Sequence, residues 1–441
     1  MKILWFGDIG RPTSFSRISE SVLPHLNSSA VRSDKGSTYD RAVSCYVLAP
    51  PRSLIKSVDA FGFKKIYHVG DPIPSIGMTW ELFSASSAHE TSLLSLKMKY
   101  ALLQAIQYSI DENIDYIIFV IGIYEADWFM NLYNNARATQ VLPKVIVWTP
   151  LDYKPSHKVV ENICKADMLF TMTNSGMQSI QAAITERPNI YVVPHAVSKC
   201  FYKIPRRKAY KYLKPIIKTL NKDDLIILNA NNYVERKQIH LTIEAFAAIR
   251  ADEVTFLPKA KFARSANDIL PTAKLWLHTN TKNPEFVRML DYYRKKFNFR
   301  DDEIILTMND APEEMLNHIY NFCQIGLQTS WGEGWSLTNC EHAITGAIQV
   351  VPDFLATGEN FRSTGYAYQV GEKEYINEAG HAVTIADIQL DNILPVLTKA
   401  IEEVGRGGFA MASSLQTWES IANQIKDILI ISTKSVEHEA P

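Results

Sequence analysis

The chain has 441 residues, 46% of them hydrophobic and 21% charged, which fits a globular protein of two or three domains with a substantial core. Its net charge of −1 excludes a global field that would recruit nucleic acid or anionic lipid. Five scattered cysteines (Cys45, Cys164, Cys200, Cys323, Cys340), with no C-x-x-C spacing, argue against a disulfide framework and fit a reducing compartment. The first residues, Lys2 to Phe6, lack a cleavable signal pattern. The longest apolar run, at 116–124, is far shorter than the ~20 residues of a membrane span. A cytoplasmic protein is the expectation.

In chain order, short apolar runs predict strands at 3–6, 45–48, 116–121, 145–148, 168–171 and 190–193. Helical patterns lie between them at 17–25 and 93–110. Runs without strict alternation are buried on both faces and belong in a parallel sheet. Strands alternating with helices give a doubly wound α/β domain. The second half repeats this grammar, with strands at 225–228, 274–278, 304–308, 325–328 and 348–351 and helices at 240–250 and 312–322. Residues 194–215 read as the linker, and a last helix over about 413–431 contains Trp418. The Lys-, Arg- and Tyr-rich stretch 199–218 reads as a solvated face. It is also compatible with peripheral contact to an anionic membrane, at about 1 kcal/mol per cation.

The segment Glu333-Gly334-Trp335-Ser336-Leu337-Thr338-Asn339-Cys340-Glu341 carries the most chemistry. It follows a strand-like run and opens a helix. Free N–H groups and a partial positive charge at a helix start suit a phosphate. Glu341, about one turn inside at ~1.5 Å per residue, is placed to accept from a pair of sugar hydroxyls. The pattern reads as a nucleotide-sugar clamp.

This segment, with Ser330 before it and Ala343, Gly346 and Val350-Val351-Pro352 after it, resembles the "S-x-x-E-G-F-G-L…E-A" signature of retaining GT-B glycosyltransferases of family GT4. The loop Asn229 to Lys237 resembles the family's donor-diphosphate loop, although Ala230-Asn231 stands where Gly-Arg is usual. Gly7 to Arg17 resembles its first glycine-rich loop, with Ser14 and Ser16 in place of glycines. Pro150-Leu151-Asp152 resembles a "P-x-D" form, Thr173-Asn174-Ser175 an acceptor-side element, and Pro194-His195-Ala196-Val197 a closing turn in which His195 reads as structural.

The resemblance implies an α/β GT-B fold of two facing Rossmann-like domains, at 1–198 and 199–427. A C-terminal helix near 428–441 is expected to cross back to the first domain. It implies a metal-independent enzyme without a cofactor, using a nucleotide-diphosphate sugar as substrate. Glu333, Lys237, Arg236 and Asp152 are the implied catalytic residues. Glu341, Gly334, Trp335, Ser336, Leu337, Thr338, Asn231, Gly10 and Ser16 are implied to bind the donor, and Arg17 and Asn174 to lie on the acceptor side. The acceptor stays open between a glycan, a lipid-linked glycan and another hydroxyl. A DNA-base glycosyltransferase and a non-catalytic nucleotide-sugar-binding protein remain as alternatives.

Overall fold

The computed structural model describes residues 1–8, 14–26, 43–49, 64–68, 71–73, 75, 78, 93–185, 188–250, 273–308, 311–377, 380–404 and 416–437. The first sheet contains β1 (Lys2–Gly7), β2 (Ser44–Ala49), β3 (Lys65–His68), β4 (Tyr116–Val120), β5 (Lys144–Trp148), β6 (Met168–Thr171) and β7 (Ile190–Val192). Their order is β3-β2-β1-β4-β5-β6-β7, and every pairing is parallel. The second sheet contains β8 (Leu225–Asn229), β9 (Ala273–Thr279), β10 (Ile304–Met308), β11 (Ile325–Leu327), β12 (Ile348–Pro352) and β13 (Ala367–Tyr368). Its order, β10-β9-β8-β11-β12-β13, is again parallel throughout and repeats the first sheet's winding.

The expected doubly wound halves are therefore present, and the apolar runs explain them. All five residues of β4, of β8 and of β12 are buried, as strands covered by helices on both faces must be. Each sheet reverses direction at one point, between β1 and β4 and between β8 and β11. Open α/β sheets bind ligands beyond the carboxyl ends of their strands at that reversal.

The last helix, Trp418–Glu437, packs on the first-domain helix Ser14–Leu26. Lys426 Nζ donates to the His25 carbonyl at 2.7 Å, and Gln424 Nε2 to the Val192 carbonyl at 2.8 Å. Trp5 Nε1 donates to Ser19 Oγ at 3.0 Å, which pins the 14–26 helix on β1. Ile18, Val22, Leu23 and Leu26 are buried beneath it, the spacing of a one-sided helix, and Arg17 is left facing the second domain. Among the described residues no helix is long and apolar enough to cross a membrane.

The hairpin β14 (Gly371–Ile376) and β15 (Ala382–Asp387) is not expected from the sequence. Its outer strand is charged and mostly exposed, so it carries no apolar signal. It reaches the first domain, where Lys154 and Thr384 exchange two backbone hydrogen bonds of 2.9 and 3.0 Å. A salt bridge from Lys154 to Glu372 lies beside them.

The two domains touch backbone to backbone at two glycines. A Cβ on Gly332 would lie 1.8 Å from the Asp152 carbonyl oxygen, and one on Gly334 2.3 Å from Pro150 Cβ. Gly332→Ala is accordingly expected to force the seam apart at a cost of about 1–3 kcal/mol or more. Solution scattering should give the variant a larger radius of gyration than the wild type. An unchanged radius together with an unchanged unfolding midpoint would show that the seam yields without cost.

Candidate functional site

The loop after β8 and the loop after β11 meet at the reversal point of the second sheet. They face the end of β5 and the 14–26 helix across a cleft of about 500 Å³. Arg17, Asp152, Asn231, Arg236, Lys237, Glu333, Gly334, Trp335, Ser336, Leu337 and Thr338 all line it. Residues nominated from four separate stretches of sequence thus share one cavity.

Glu333 is only 5% exposed, and its environment decides its charge. Lys237 Nζ donates to Oε1, Arg236 Nη1 lies 3.0 Å from Oε2, and Gln328 Nε2 donates to Oε1 at 3.1 Å. Burial alone would favour the neutral acid. Arg236 and Lys237 outweigh it and hold the carboxyl well below the usual carboxylate range. Lys237 loses more from burial and from Arg236 beside it than Glu333 returns, so its pKa lies below the ordinary lysine value. Arg236 also donates to the Gly332 carbonyl at 2.6 Å and lies 3.3 Å from Asp152 Oδ2. The other oxygen of Asp152 accepts from the Gly334 N–H at 2.9 Å. One carboxylate of the first domain therefore fixes both the cation and the loop of the second.

A buried amide chain supports this cluster from behind. Asn231 Nδ2 donates to Asn229 Oδ1 at 2.8 Å and to Gln328 Oε1 at 2.9 Å. Gln328 Nε2 reaches Asn339 Oδ1 at 3.2 Å, and Asn339 Nδ2 reaches Gln349 Oε1 at 2.8 Å. Sequence reasoning missed Gln328. Its signal is a polar residue that ends an otherwise apolar strand run.

Ser336 precedes the helix Leu337–Ile344 in a left-handed conformation, with φ of 68°. The GT4 signature has glycine at this position, where left-handed backbone carries no Cβ penalty. A serine there costs about 1–2 kcal/mol. Its hydroxyl offsets part of that by donating to Asn339 Oδ1 at 2.6 Å.

Glu341 lies one turn into that helix and is 1% exposed. It does not line the cleft itself, because Arg17 covers it. Arg17 Nη2 pairs with Oε1, and Tyr320 Oη donates to Oε2 at 3.2 Å. Burial pushes the carboxyl up to about 7, with Arg17 and Tyr320 recovering only part. Arg17, expected on the acceptor side, is thus found at the Glu341 end of the cleft.

Two other nominated residues, Ser16 and Asn174, do not line the cleft. Ser16 is fully buried within its own helix and donates to Glu20 Oε1 at 2.7 Å. Asn174 and Ser175 give their backbone N–H groups to Glu359 of the second domain at 3.0 and 2.7 Å. Gly10 lies outside the described residues.

His195, read as structural, lines the cleft while 4% exposed. Neither ring nitrogen has a hydrogen-bond partner, and neither does Nε1 of Trp335, whose ring centre is 6.0 Å away. Burial pushes the imidazole down to about 3, so it is neutral. Among the described residues no group of three or more His, Cys, Asp or Glu is placed to hold a metal ion.

The sequence matches no protein-family model and no curated protein. Solved structures do match it. The sucrose-phosphate synthase of Thermosynechococcus elongatus superposes with a TM-score of 0.68 at 11% identity, over 99% of this chain and 100% of that one. The fold is GT-B. HepE of Anabaena, solved in complex with UDP-glucose, gives 0.63 at 12% identity, over 97% and 99% of the two chains. The α,α-trehalose 6-phosphate synthase of Burkholderia multivorans gives 0.60 at 11%, over 100% and 99%. At these identities the GT-B architecture is what is shared.

The raised Glu341 has a consequence for stability. The native carboxyl binds its proton more tightly than the unfolded one, whose ordinary value is 4.5. Its contribution is present at low pH and is lost as pH rises from about 4.5 to about 7. The urea midpoint of wild type relative to Glu341→Gln should fall across that window. A difference that stays flat would place Glu341 at an ordinary pKa.

Proposed function

We propose that this chain is a retaining, GT4-like glycosyltransferase that moves a sugar from a nucleoside-diphosphate sugar to an acceptor hydroxyl. The observation that carries the reading is the buried Glu333, clasped by Arg236 and Lys237 at the mouth of the 337–344 helix, with Glu341 one turn behind. The fold shared with HepE, solved with UDP-glucose and with UDP, supports a nucleotide-sugar donor.

In this reading Glu341 holds the ribose hydroxyls and Glu333 contacts the transferred sugar. The N–H groups of Leu337 and Thr338 meet the diphosphate. Asn231 sets the floor of the donor site through Gln328. Asp152 orients the acceptor hydroxyl from the first-domain wall. The bond from C1 of the sugar to the phosphate oxygen breaks as the acceptor oxygen attacks C1 from the same face. The acceptor's proton passes to the departing phosphate oxygen. Negative charge grows on that phosphate in the transition state, and Lys237 is the cation placed to meet it. A closed, dry cleft limits attack by water.

Three measurements test this. Donor hydrolysis over a panel of UDP-, GDP- and ADP-sugars, followed by proton NMR, should release free sugar whose first-formed anomer matches the donor. An inverted first product would sink the retaining mechanism, and tight binding without hydrolysis or transfer to any acceptor would favour a binding protein. Because protein cations carry the phosphate charge, turnover should persist in excess chelator. Lys237→Ala should lower kcat by about 10²-fold or more with a smaller change in donor affinity. Equal turnover in variant and wild type would return Lys237 to an ordinary structural role.

A further inference from the structure

The charges around the cleft do not suit a diphosphate as they stand. Its lining contains the cations Arg17, Arg236 and Lys237 against Asp152, Glu313 and Glu333, with Glu341 directly behind. Arg236 is committed, because its fork is filled by the Gly332 carbonyl, Glu333 and Asp152. Those contacts hold the seam between the domains. Ala230-Asn231 stands where the GT4 loop carries its own arginine. Among the described residues that line the cleft, Lys237 is then the single cation that the second domain can turn toward a phosphate.

Arg17 is differently placed. It belongs to the first domain, in the first turn of a helix pinned by Trp5 and Ser19. A cation in a helix's first turn is unfavourable unless an anion faces it. Its side chain is 30% exposed and touches two carboxylates, Glu341 directly and Glu313 at 3.6 Å. The guanidinium also lies 5.5 Å from the centre of the Phe201 ring, a cation–π contact.

If Glu341 is the ribose acceptor, as the proposed function holds, Arg17 and the ribose compete for one buried carboxylate. A nucleotide brings the remedy with it, since its diphosphate begins one carbon from the ribose ring. We propose that Arg17 is a donor-diphosphate ligand supplied by the opposite domain, and that it exchanges Glu341 for the diphosphate when the nucleotide binds. Its planar fork suits paired phosphate oxygens. The exchange replaces the cation missing at Ala230-Asn231 and makes the Glu341 site sense whether a ribose carries phosphate. A nucleoside must expel Arg17 without giving it a new partner, whereas a nucleoside diphosphate gives it one.

The test is calorimetry with UDP, GDP and ADP and with uridine, guanosine and adenosine, on the full chain. Wild type should bind at least one diphosphate. Failure with all three overturns the nucleotide-sugar reading and this proposal with it. For the diphosphate that binds, Glu341→Ala should weaken both it and its nucleoside, and an unchanged nucleoside affinity removes the ribose assignment. Arg17→Ala should weaken the diphosphate about tenfold or more. It should leave its nucleoside unchanged or tighter, because the competitor for Glu341 is gone. Arg17→Lys, which keeps charge but not the fork, should fall between. A ratio of diphosphate to nucleoside affinity that does not drop in Arg17→Ala overturns the proposal while leaving the ribose reading intact.

Discussion

A carboxylate taken out of water must be paired, and much of this site follows from that requirement at Glu333. Its two cations come from adjacent positions of a different loop, 236 and 237, so the loops after β8 and β11 cannot move independently. Arg236 then needs further acceptors and finds one in Asp152 across the domain boundary. The amide chain through Gln328 serves the same carboxylate from below. Removing one partner would leave a buried charge exposed to its desolvation cost, typically about 3–5 kcal/mol. The pairing therefore ties the two loops and the domain boundary into one cluster.

Much of the architecture was legible because its strands are buried on both faces. Tyr116 to Val120 and Leu225 to Asn229 carry no polar alternation, so period and length suffice to name them. The strand 371–376 is charged and mostly exposed and lacks any such pattern, and it is its antiparallel pairing with 382–387 that defines it. Helix ends were readable to within a residue at 93–111, whereas the last helix, expected over about 413–431, runs from 418 to 437.

The site was legible in its types of residue but less in their pairings. Glu333, Arg236 and Lys237 were nominated from separate loops, and nothing in the sequence links 237 to 333. Arg17 was assigned by its place in a loop, whereas its partner is set by the angle at which two domains meet. His195 was read as structural from its place in a turn, and a sequence cannot reveal that both its nitrogens end without partners. Ser336 is the opposite case: the mismatch with glycine in the motif marks the position where the backbone is left-handed.

The bare contact between Gly332-Glu333-Gly334 and Pro150-Leu151-Asp152 has a further consequence. With no side chain between the two backbones there, the seam cannot be retuned by choosing a smaller residue, because none exists. The two triplets form one structural unit, and a change of bulk or path in either must be answered in the other. A chimaera that grafts the second domain of a GT-B relative onto this first domain would have to carry residues 150–152 along with it.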